Sequence, residues 1–203
     1  MQYSFHLYNK FASDGIAMAL DSLLKAELSK RQSQTKGAGT SLNNFFTAPP
    51  VIVCIGTDLA ITDSLGPLTG SMLKYKTQGA NSFIYGTLPA PVTAKEIKYM
   101  RTFLKETHKN SPIIAIDAAI GDKGDVGLIK LSDSPLSPGV GANKQLGKIG
   151  DISIMGIVAE KSLGNYAIFN NTRLNLVYTM SEIISDAVSA FLWNRGEKSV
   201  KNA

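Results

Sequence analysis

The segment Pro112-Ile113-Ile114-Ala115-Ile116-Asp117-Ala118 decides the fold class. It is the most apolar strand-length run of the chain, and its hydrophobicity is continuous rather than alternating, as expected of a central strand covered on both faces. Upstream, Val51 to Gly56 is a second β-branched apolar run, Ser64 to Tyr75 has helical spacing, and Ser82 to Tyr85 reads as a short strand, which together make a βαβ unit. Between that unit and the central strand, Ile97, Met100, Phe103 and Leu104 give an amphipathic helix over Thr93 to His108. Downstream, strands are expected at Val126 to Leu131 and Ile152 to Val158, separated by a loop rich in Ser, Pro and Gly. A last helix from about Thr172 to Trp193 carries Leu176, Val177, Met180, Ile183, Ile184, Ala187, Val188 and Phe191 on one face. Alternating strands and helices predict an α/β fold.

At the N-terminus, Ile16, Leu20, Leu23, Leu24 and Leu28 recur at helical spacing after Ser13 and Asp14, either of which suits a cap. Ser29 to Asn44 is polar and nearly free of apolar residues, and reads as a linker. The compact core is therefore expected to start near Pro49, with an amphipathic helix and linker over residues 1–48 and an α/β domain over 49–203.

Composition narrows the function classes. The chain has 203 residues, of which 44% are hydrophobic, ample for one sizeable core. The net charge of +5 arises largely from Lys25, Lys30, Arg31 and Lys36 and from Arg195, Lys198 and Lys201 in the tail. No aromatic-interleaved basic stripe accompanies them, so no direct nucleic-acid binding is expected. No apolar run is long enough to span a bilayer, and Met1 to His6 lacks a signal pattern, so a cytoplasmic location without membrane contact is expected. The single cysteine, Cys54, lies inside an apolar strand and reads as a small hydrophobe. The only histidines, His6 and His108, cannot make a His-rich zinc site, and His108 is expected at a helix end. Gly37-Ala38-Gly39-Thr40 lacks the strand and the Lys-Ser/Thr ending of a phosphate loop, and there is no G-x-S-x-G elbow, so neither a nucleotide nor a serine nucleophile is expected; no cofactor and no metal enter the favoured reading, with a carboxylate-bound ion left as the alternative.

Strand-to-loop junctions carry the candidate chemistry, because ligands of open α/β sheets bind beyond the carboxyl ends of the strands. One junction reads Gly56-Thr57-Asp58 and continues through Thr62-Asp63-Ser64-Leu65-Gly66-Pro67; a second is Ile116-Asp117-Ala118; a third is Ser137-Pro138-Gly139-Val140-Gly141-Ala142-Asn143-Lys144. Asp63 has two readings, a helix cap or a functional carboxylate. Asp117 follows a buried strand, where a carboxylate needs hydrogen bonds, an ion or a catalytic task. Asp58 suits a tight turn and stays a third candidate. Two converging carboxylates can divide the work of moving protons to and from a water, while the amides around Gly139 and Gly141, the Asn143 amide and the Lys144 ammonium are candidate donors to substrate or to an oxyanion. A non-enzymatic protein holding a peptide or small ligand in the same crevice is the alternative.

In order, CIGTD, TDSLGPLTG, IAIDA, SPGVGANK, GDISIMGIV and NTRLNLV resemble the successive motifs of the YyaC-type sporulation proteins, over about Val51 to Val177. That family is similar to the germination protease of spore-forming bacteria, an atypical aspartic peptidase. The resemblance implies a three-layer α/β/α sandwich of the phosphorylase/hydrolase-like kind, as in germination protease and hydrogenase-maturation peptidases. It implies a peptidase acting in sporulation or germination, in the forespore or mother cell, on protein substrates such as small acid-soluble spore proteins; whether the chain forms a homo-oligomer is left open. By motif position, Asp63 and Asp117 fall where the germination protease has its catalytic aspartates. The chain departs from that enzyme in its shorter length, in its Gly56-Thr57-Asp58 turn and in lacking a convincing zymogen cleavage site.

Overall fold

The computed structural model describes residues 1–34, 48–139, 146–161 and 172–201. One mixed sheet of six strands organises them: β1 (Gln2–His6), β2 (Val51–Cys54), β3 (Phe83–Tyr85), β4 (Ile113–Gly121), β5 (Leu128–Ser132) and β6 (Ile152–Glu160), in the order β1-β5-β6-β4-β2-β3. β3, β2, β4 and β6 run parallel, while β5 and β1 add antiparallel strands at one edge. The helices are α1 (Ala12–Gln34), α2 (Leu65–Lys76), α3 (Ile97–Thr107) and α4 (Leu174–Lys201).

Period-two alternation in β2 and β4 builds two cores, one on each face. Ile52, Cys54, Ile114 and Ile116 face α1, α2 and α4, meeting Ile16, Leu20 and Leu23, then Leu65 and Leu73, then Val177, Met180 and Ile184. Val51, Val53, Ile55 and Ala115 face α3, meeting Ile97, Met100 and Leu104. The result is the expected three-layer α/β/α arrangement, and β2 together with Ile114, Ala115 and Ile116 of β4 is fully buried because these positions are apolar and covered on both sides.

The N-terminal segment departs from the expectation of a core starting near Pro49: the chain enters the sheet at once, as β1 pairs with β5 from Gln2↔Ser132 to His6↔Leu128. Only the Tyr3 and Phe5 side chains of that strand turn toward the core, so its apolar signal is short. Likewise, α1 runs on to Gln34 through part of the expected linker. Charge supports that extension: Lys30 pairs with Asp133, and Arg31 pairs with Glu27 and Asp151. Asp151 in turn accepts a hydrogen bond from the Ile113 N–H at 2.8 Å, tying α1 to the start of β4.

Among the described residues, no helix is long and apolar enough to cross a membrane. His108 does stand at the carboxyl end of α3, yet burial pushes its pKa down, and Tyr85 Oη lies 2.9 Å from its Nε2. Packing against the Phe83, Tyr85 and Phe103 rings thus works against the cation that would answer the helix dipole.

Candidate active site

The site is made by strands of unequal length. β2 pairs with β4 only as far as Cys54↔Ile116, with one more bond from the Ile55 N–H to the Ile116 carbonyl, 2.7 Å. Gly56 then turns the chain out of the sheet with φ of 142°. A side chain at Gly56 would strike the Asp63 carbonyl oxygen, and one at Gly66 would strike that of Ile55. These two glycines let the turn and the start of α2 press directly on the end of β2. The turn is closed by the Thr57 N–H donating to the Asp63 carbonyl at 3.0 Å, and a 3-10 turn, Ile61–Asp63, delivers the chain into α2.

β4 does not stop where β2 does. It continues along β6 from Asp117↔Met155 to Gly121↔Glu160, with an irregularity between Ala119 and Ile120. The expected strand, Pro112 to Ala118, is thereby carried on to Gly121, since pairing with β6 alone suffices to extend it. Asp117 is the residue at which β4 loses its β2 neighbour.

Asp63 and Asp117 come together here. Burial above all raises the Asp117 carboxyl; the Ala118 N–H, donating to Asp117 Oδ1 at 2.9 Å, opposes the rise and the nearby Asp63 charge adds a little to it, so that the carboxyl is pushed up to about 8. Asp63 sits at the rim, more open to water, and its carboxyl is also raised by desolvation on its protein side. Neither carboxylate has a cationic partner among the described residues. The capping reading of Asp63 does not describe its position: the residue before α2 is Ser64, whose Oγ donates to the Ile61 carbonyl at 2.8 Å instead of capping the helix. A pair of carboxyls that disfavours double ionisation can hold one proton between them and pass it to or from a bound molecule.

Asp58 lies exposed in the same turn. Gly139, with φ of 77°, belongs to the loop between β5 and β6, which leaves β5 where Ser132 pairs with Ser153 near the start of β6. Leu146, further along that connection, packs on the α3 side of the sheet with Met155, the register neighbour of Asp117. Gly141, Asn143 and Lys144 lie outside the described residues. Among the described residues, no three His, Cys, Asp or Glu side chains gather as a metal site. Sequence reading missed the Ala118 N–H, a backbone donor that becomes conspicuous only once the β2 edge is known to end beside it.

Residues 28–187 match the family described as Protein of unknown function (DUF1256). A Bacillus subtilis (strain 168) protein described as Uncharacterized protein YyaC is 41% identical over 150 residues, 74% of this chain and 73% of that one. Among solved structures, the NiFe hydrogenase maturation protease HycI from Thermococcus kodakarensis KOD1 matches with a TM-score of 0.47 and 19% identity, over 76% of this chain and 100% of that one. With the family match covering most of the sequence and this degree of identity to YyaC, the chain belongs to the YyaC-type DUF1256 family.

Proposed function

We propose that the protein is a peptidase that hydrolyses peptide bonds with Asp63 and Asp117 as an acid–base pair. The observation that carries this reading is the meeting of two carboxyls, both raised in pKa, at the point where β4 outruns β2. At neutral pH Asp117 keeps its proton and hydrogen-bonds a substrate carbonyl, while ionised Asp63 takes a proton from water. The water oxygen attacks the carbonyl carbon, the tetrahedral intermediate collapses with cleavage of the C–N bond, and the leaving amine receives a proton from the pair. The connection containing Gly139, Gly141, Asn143 and Lys144 is the proposed source of further substrate contacts, and Asp58 of the Gly56 turn is proposed as another. No cofactor enters this scheme.

The family resemblance extends the proposal to sporulation or germination, with small acid-soluble spore proteins as the substrate class, in the cytoplasm of the forespore or mother cell. The test incubates purified protein with such proteins and with unfolded polypeptides from pH 4 to 9, and finds new termini by mass spectrometry. Asp63→Asn and Asp117→Asn are each expected to slow cleavage at least about a hundredfold, with the double variant hardly worse than either. Activity is expected to fall as pH rises through about 8, where Asp117 loses its proton. Absence of cleavage under every condition would favour a non-catalytic protein that binds a peptide or small ligand in the crevice.

A further inference from the structure

β4 is a central strand for half its length and an edge strand for the other half. In a parallel ladder, alternate residues turn both backbone groups toward the same neighbour. The Pro112 and Ile116 carbonyls accept bonds from Val51 and Ile55 of the β2 segment, whereas the Ile113 and Gly121 carbonyls accept bonds from Asp151 and Lys161 on the β6 side. The even-numbered residues therefore face β2. Once β2 leaves at Gly56, the backbone groups of Ala118 and Ile120 face a position that no strand fills among the described residues. The extra residue at the irregularity belongs to β6, because Ala119 pairs with Ile157 and Ile120 with Ala159, so the alternation along β4 is kept.

One of these groups has an improvised partner. The Ala118 N–H points where the next β2 carbonyl would have been and donates instead to Asp117 Oδ1. A side-chain oxygen thus occupies the acceptor place of a missing strand. The rim beside it carries apolar side chains in water: Leu59 is 91% exposed and Ile61 is 42% exposed, both on the turn that ends at Asp63.

We infer that the Ala118–Ile120 edge of β4 is a docking edge for an extended polypeptide segment, which adds to the sheet as a strand in the line β2 vacates, with an apolar side chain against Leu59 and Ile61. Main-chain hydrogen bonds supply the attachment, and pockets for alternate side chains supply selectivity. Docking also reaches the carboxyl pair. A peptide carbonyl that accepts the Ala118 N–H displaces Asp117 Oδ1, removing the hydrogen bond that favours the ionised carboxylate and freeing the acid to face the neighbouring peptide bond. The inference rests on the peptidase reading for the role of this segment as substrate, and on the sheet alone for its attachment.

The experiment follows backbone amide NMR signals while reduced, carboxymethylated lactalbumin is added as an unfolded probe, in wild type and in Ile120→Pro. Proline at 120 removes the donor facing the open edge while leaving the β6 ladder bonds in place, as proline is tolerated on an open strand edge. The Ala118 and Ile120 amides are expected to shift or broaden on titration, with binding weakened at least tenfold in Ile120→Pro and retained in Ile120→Val. Signals that move only elsewhere overturn the inference, as does an Ile120→Pro protein that binds like wild type. Should Ile120→Pro not fold, the wild-type amide map decides alone. Docking at this edge without cleavage of any polypeptide would sink the peptidase reading and leave the inference standing; cleavage with Ala118 and Ile120 unperturbed would do the reverse.

Discussion

The two halves of β4 share a strand, a partner in β6 and a nearly continuous apolar sequence, yet they live in different surroundings. Ile114, Ala115 and Ile116 are completely buried between β2 and β6, whereas every residue from Asp117 to Gly121 is partly open. The division follows from the length of the neighbouring strand, because β2 stops at the Gly56 turn. Ending one strand of a parallel sheet early thus makes a step, and the residue at the step receives both the low dielectric of the core and access to solvent. For a carboxyl, that combination raises the pKa without sealing the group away.

The largest break in this comparison would come from moving the step itself. Gly66→Ala is expected to cost more than about 4 kcal/mol or to prevent folding, since its Cβ would press on the Ile55 backbone. Gly124→Ala, where a Cβ meets nothing within 4 Å, is expected to stay within about 0.5 kcal/mol of wild type in urea denaturation. Equal costs at the two positions would show that the close approach of α2 to β2 is not what fixes the turn.

Within β4, Ile116→Ala is expected to destabilise by about 2–5 kcal/mol, as for other fully buried isoleucines. Ile120→Ala, on the open half, is expected to lose only about 1–2 kcal/mol because part of its surface is wet already. Similar losses would erase the distinction between the halves.

The smallest effect has a distinct pH signature. Asp117 binds its proton more tightly in the folded protein than in the unfolded chain, so its favourable contribution is complete below the usual aspartate range and is lost as pH rises through about 8. Asp117→Asn removes that loss. Its melting temperature is expected to match wild type near pH 4 and to exceed it above pH 8. A pH-independent difference would place the Asp117 carboxyl in ordinary solvent.

How much of this was legible depended on whether a signal was local. The cores of β2, β4 and β6 were readable because their buried runs are almost entirely apolar, and α3 because Ile97, Met100 and Leu104 share a face. β1 was not, since an edge strand reading Gln-Tyr-Ser-Phe-His gains its place by pairing with β5, a residue span of more than a hundred away in sequence. The end of α1 was hidden for a similar reason: Arg31 and Lys30 continue the helix through partners on distant segments rather than through an apolar stripe. At the site, Asp63 and Asp117 stood out as carboxylates beside apolar runs. The meaning of Ala118 did not, because an alanine declares nothing about a backbone donor whose neighbouring strand has gone.

Cys54 gives the central strands a built-in clock. It is the chain's single thiol, it lies fully buried in β2, and burial pushes its pKa far above the ordinary thiol range. A thiol-reactive dye can therefore label it only in molecules whose sheet has opened. The rate of dye incorporation under native conditions would count those openings directly, molecule by molecule, with no engineered probe.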